Sequence, residues 1–119
     1  MSPVKHPVSG PELTFSLFDE IAMLRSELRN SPERAAKTLI KEGPLTVTLI
    51  GVNAGGSLHP HKAGGPITVQ VLEGEVEFTV GNESRTLPAG TLFALDGGIT
   101  HAVHSTDGGV FLLTVVNAH

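Results

Sequence analysis

The chain has 119 residues, a formal net charge of −4 and no cysteine, so it builds one domain with one core and no disulfide framework. No stretch approaches the roughly 18 apolar residues of a membrane helix, and the N-terminus lacks the apolar segment of a signal peptide, so the expected setting is cytoplasmic, without a membrane partner. Residues 43–119 carry only Lys62 and Arg85 as cations against six acids, with no Tyr or Trp; such a surface offers no phosphate-tracking or base-stacking platform, and no nucleic acid partner is expected.

In chain order, residues 1–12 hold three prolines and a glycine and read as an irregular arm. Leu17, Ile21, Leu24 and Leu28 then recur at helical spacing, and Ser16 followed by Asp19 resembles a capping box, so a helix is expected over 15–29. Its Phe15/Phe18/Met23 side is read as core or dimer contact. Ser31-Pro32-Glu33 predicts a second helical turn over 32–36. The chain thus divides into an arm and helix, residues 1–36, packing on the barrel or a partner subunit, and a β-domain, residues 37–119.

From residue 38 the period becomes that of strands. Segments 38–41, 45–52, 57–61, 67–72, 75–80, 83–87, 91–95, 100–104 and 110–116 alternate with Gly, Pro, Asn and Asp turns, Glu73-Gly74 among them. Many short strands at this spacing predict an all-β sandwich or barrel. Two histidines, His59 and His61, stand one residue apart between glycine-rich turns, and i, i+2 residues of a regular strand share a face. With His101 from a second glycine-punctuated stretch they predict a three-imidazole site for one divalent metal, Fe, Mn, Zn, Ni or Cu, with open coordination positions. His104 is read as a partner of the ligands or a fourth ligand. His6 and His119, in the terminal segments, are read as solvated, and the Glu73, Glu75 and Glu77 face likewise. Lys62, beside the ligand pair, could steer an anion. An apolar pocket lining is expected from Ile67, Val69, Phe78 and Phe93.

At these residues the chain resembles the cupin superfamily, in particular its small, single-domain, RmlC-like members. The first cupin motif is matched by Gly51, His59-Pro60-His61 and Gly74, and the second by Gly90, Asp96, Gly98, His101 and Ser105, with Asp for Pro and Ser for Asn. The resemblance covers residues 45–116. It implies a jelly-roll, double-stranded β-helix barrel with the short helical segment in front, a metal near the barrel axis, and a homodimer. The family's glutamate ligand would fall at Ile67, which cannot coordinate; Gln70 is the nearest alternative, through a bulge or shifted register. Three-histidine cupins without the glutamate resemble thiol and diketone dioxygenases, which implies oxidation of a small anionic or enolisable substrate. A metal-dependent isomerase or lyase and a non-catalytic small-molecule-binding or sensing cupin are the alternatives.

Overall fold

The computed structural model describes residues 7–117. Helix α1 (Leu17–Leu28) is followed by eight strands: β1 (Arg34–Glu42), β2 (Leu45–Val52), β3 (Ser57–His61), β4 (Ile67–Val80), β5 (Glu83–Pro88), β6 (Leu92–Leu95), β7 (His101–His104) and β8 (Gly109–Val116). The hydrogen-bonded order is β1-β2-β8-β4-β7-β3, with β5 and β6 also on β4. All pairings are antiparallel. This is the expected all-β double-stranded β-helix, curled so that one strand serves two walls. Among the described residues no helix is long and apolar enough to cross a membrane.

That shared strand is β4. Its first half pairs with β8 and β6, and its second half with β7 and β5. The expected Glu73-Gly74 turn is absent; the chain instead passes through a bulge between Val71 and Glu73 and bends into the second wall. Gly74 makes the bend, with φ at +65°. A Cβ there would lie 2.2 Å from the Gly108 carbonyl oxygen, so the corner tolerates no side chain. The core lies between the walls, from Ile50, Val52, Ile67, Val69, Val71, Val76, Phe78, Leu87, Val103 and Phe111.

The helix begins as its capping pattern predicts, with the Asp19 N–H donating to Ser16 Oγ. It buries Ile21, Leu24 and Leu28 on the outside of the first wall, against Leu39, Leu49 and Val110. Gly51 gives the helix close approach, because a Cβ there would sit 2.6 Å from a Leu28 methyl. Lys37 of β1 reaches the buried Glu20 at 2.6 Å, and Arg25 pairs with Glu73. The side read as core or dimer contact splits: Phe15 packs on this cluster, whereas Phe18 is 86% exposed and Met23 is exposed.

The second helical turn over 32–36 does not form. Pro32 and Glu33 bend, and β1 starts at Arg34, because Ala35 and Ala36 find ladder partners in Gly51 and Ile50. Sheet pairing overrides the local cap signal. Ahead of the helix the arm is irregular, and the Val8 carbonyl accepts from Lys41 N–H on the β1 edge. His6 and His119 lie outside the described residues.

Replacing Gly74 with alanine is expected to destabilise the protein by about 2 kcal/mol or more, from a positive φ plus a backbone collision. Urea denaturation of the variant against wild type measures this; an unchanged midpoint would mean that the corner relaxes freely.

Candidate functional site

The sequence places His59 and His61 on one face only if β3 is regular, and it is not. Leu58 pairs with Val103 and His61 with His101, so one extra residue of β3 is accommodated at His59-Pro60. The bulge sends Leu58 and His61 to the same, inward side. Both line one small void with Ile50, Phe78, His101, Val103, Phe111 and Leu113. His59 and His61 are both solvent-exposed, but only His61 lines the void; the His59 backbone carbonyl, not its ring, meets His61, at 2.8 Å from Nδ1. Proline at position 60 suits a bulge, where the ladder needs no N–H.

The structure therefore brings together two of the three expected ligands. The His61 and His101 ring centroids are 4.3 Å apart, edge to face. His101 is 3% exposed and stacks at 5.9 Å on Phe78. Its Nδ1 lies 3.0 Å from the Ile99 carbonyl oxygen. A carbonyl oxygen only accepts, so in each ring Nδ1 carries the proton and Nε2 keeps its lone pair. That is the tautomer a metal ligand uses.

The other expected ligands stand apart from this pair. Ile67 is buried among apolar side chains. Gln70 faces outward, exposed between the buried Val69 and Val71, because the β4 bulge comes after Val71 and leaves the alternation at position 70 intact. His104 alternates away from His101 on β7, and its Nδ1 lies 3.1 Å from Ser57 Oγ. Among the described residues no group of three His, Cys, Asp or Glu side chains could hold a metal ion. Of the three expected histidines, His61 and His101 are the pair in ring contact, a two-nitrogen half-site.

Above the pair the barrel opens into a mouth of about 330 Å³ lined by Thr46, His61, Lys62, Ala63, Gly64, Ile67, His101, Leu113, Val115 and Asn117. Of the four residues expected to line a pocket, Ile67 lines this mouth and Phe78 the void below it. Val69 is fully buried in the core, and Phe93 packs against Phe78 with the Arg85 guanidinium 5.8 Å from its ring. The loop of Lys62, Ala63 and Gly64 at the rim is in backbone contact with a second glycine loop behind it. The Gly98 N–H donates to the Ala63 carbonyl, and a Cβ on Gly97 would lie 2.7 Å from Gly65. Thr46, Leu58 and Asn117 escaped the sequence reading. Inward alternation along β2 could have suggested Thr46, and Pro60 within the strand was the one sequence signal for the bulge that turns Leu58 inward. Ser105, at the position of the second motif's asparagine, staples a turn instead: its Oγ donates to the Glu75 carbonyl and accepts from Gly108 N–H.

Burial lowers the His101 pKa from 6.5; the Ile99 hydrogen bond opposes this and the nearby His61 charge adds to it. A histidine whose folded pKa is depressed contributes full stability above its unfolded pKa and loses it as the pH falls through the folded value. The urea midpoint is therefore expected to drop as the pH is lowered below about 6.5, with part of that drop absent in His101→Asn. A slope identical in the two proteins would show that His101 protonates without cost.

A family model described as the cupin domain matches residues 45–117, more than half of the chain. Among solved structures, a cupin 2 conserved barrel domain protein from Leptotrichia buccalis is 32% identical, with a TM-score of 0.69 over 73% of this chain and 42% of that one. A conserved protein of unknown function from Streptococcus pyogenes is 25% identical, with a TM-score of 0.68 over 73% and 76% of the two chains. KdgF from a Halomonas species shares the fold at 19% identity, with a TM-score of 0.64 over 74% and 84%. Among curated proteins none matches the sequence significantly.

Proposed function

This chain belongs to the cupin domain family, and from that premise we propose that it is a small-molecule-binding protein whose ligand seats in the barrel mouth against His61 and His101. The observation that carries this reading is the open mouth with two inward imidazoles at its base and an apolar wall of Ile67, Leu113 and Val115. Concave, mostly apolar sites with a few convergent polar groups are the usual form of a small-molecule site. Nuclear magnetic resonance titration of metal-stripped protein with a panel of small acids, alcohols and amines tests it. Mouth residues are expected to respond, His59→Ala to bind as wild type, and His61→Ala to bind about tenfold more weakly, the loss of roughly one hydrogen bond. Binding that depends on His59 as strongly as on His61 would sink this reading.

The second reading keeps a divalent metal on the same pair, with the oxygenase or the isomerase and lyase chemistry that the resemblance implies. The two Nδ1–carbonyl bonds favour it, because they leave both Nε2 atoms free to coordinate. When bound, such an ion would polarise a substrate oxygen. Elemental analysis separates the readings. One equivalent of metal in wild type and none in His61→Ala/His101→Ala would favour the second, and oxygen uptake against anaerobic turnover would then choose its chemistry.

We also propose that the protein works as a homodimer through the outer face of the first wall. The helix leaves part of that face bare: Thr68 pairs with Ala94 and Thr114, and Gln70 with Leu92. Leu92 is 69% exposed, Val116 is exposed, and a groove runs between Pro66, Ala94, Ile99 and Val116. The strand row itself carries no charge, with Asp96 as the one acid lining the groove, and a largely uncharged, β-rich face invites a matching copy. Light scattering is expected to give a dimer for wild type and a monomer for Leu92→Glu/Val116→Glu; a monomeric wild type would remove the proposal.

A further inference from the structure

The mouth has two chemically different ends. At the base stand His61 and His101. Their Nδ1 protons are committed to the carbonyl oxygens of His59 and Ile99, at 2.8 and 3.0 Å. The free Nε2 atoms of neutral imidazoles only accept hydrogen bonds. Two acceptors with ring centroids 4.3 Å apart, in a wall otherwise apolar, call for a donor; a carboxylate placed directly on them would meet only lone pairs.

At the rim the chemistry reverses. Lys62 follows His61 directly and lines the same mouth. It has no carboxylate partner among the described residues, so its ammonium is available. The side chains of Thr46 and Asn117 add hydrogen-bonding capacity there. Every other cation of residues 43–119 is accounted for, since Arg85 lies against Phe93 and Glu83. Ile67, Leu113 and Val115 supply the apolar surface between the two ends.

Resting on the barrel-mouth reading, we infer that the ligand class is a short hydroxy acid, or the enol form of a keto acid. Its hydroxyl donates to the His61/His101 pair, its carboxylate meets Lys62, and its carbon chain lies on the apolar wall. A plain carboxylic acid lacks the donor, an alcohol lacks the anion, and an amine meets Lys62 with like charge. Discrimination comes from leaving the acceptor pair, of which His101 is buried, or an ammonium without its partner.

The test uses full-length protein stripped of metal by chelation and three probes of one skeleton: 2-hydroxy-4-methylpentanoate, 4-methylpentanoate and 4-methylpentan-2-ol. The hydroxy acid is expected to bind at least about tenfold more tightly than either partner, one hydrogen bond or one ion contact being worth that much. The Nε2 resonances of His61 and His101 should shift on binding, while both Nδ1 atoms stay protonated. Lys62→Met should remove the advantage over the alcohol, and Lys62→Arg should restore it; because Lys62 is exposed, both variants are expected to fold, which circular dichroism checks. Equal affinity for all three probes, or a tighter hit of other chemistry at the same mouth residues, would overturn the ligand class and leave the mouth reading standing. Affinity that returns only after Fe, Mn or Zn is added back would overturn direct contact with the imidazoles. If no probe in either panel perturbs the mouth, the class and the mouth reading fall together.

Discussion

The corner at Gly74 is the constraint on which the rest of this barrel depends. A single strand serves both walls only if its backbone bends where they meet, and here it bends against the backbone of the β7–β8 turn, with no room for a side chain. The Glu75 N–H and carbonyl then engage Gly108 and Ser105, so the corner is held by main-chain groups and one buried serine. From it follow the pairing of β4 with four neighbours and the enclosure of one core. His101 also faces that core, because Val80 at the far end of β4 sits beside it in register.

A second irregularity, in β3, decides the chemistry. One extra residue at His59-Pro60 changes which side chains face inward, from a histidine pair within the strand to Leu58 and His61. The interior thereby loses an imidazole and gains an aliphatic wall. What remains is a histidine couple bridging two adjacent strands, with each ring held by a backbone carbonyl. Ring orientation is fixed by main-chain contacts, which makes the couple a preorganised pair of acceptors.

The β-domain is acidic, and its acids lie along outward strand positions and turns, while Lys62 stands at the mouth. An isolated cation at the lip of a concave, low-dielectric site focuses its field into that site. The helix contributes nothing to the mouth; it covers one patch of the first wall and is anchored there by the Glu20–Lys37 and Arg25–Glu73 pairs. Its apolar stripe and the bare row of Thr68, Ala94 and Thr114 occupy different parts of the same sheet face. Stabilisation within the chain and the sheet face left open are therefore spatially separate.

The sequence by itself determined the fold class, the capped helix, the strand succession and the inward placement of His101. Each of these is set by local periodicity, by glycine at turns, or by the apolar alternation that a two-walled β-domain must bury. It also determined that Gln70 opposes Ile67, because alternation holds wherever a strand is regular. Only the tertiary structure decided the rest. Pro32-Glu33 carries a helix-start signal, yet Ala35 and Ala36 are taken by the β2 ladder; that competition is invisible within a short window. Glu73-Gly74 reads as a turn, and the partner backbone at Gly108 makes it a corner. His59 reads as the twin of His61 under strict alternation. A bulge is fixed by register against the neighbouring strand, and β7 belongs to a distant part of the chain, so the site's donor set was settled across strands and not along them.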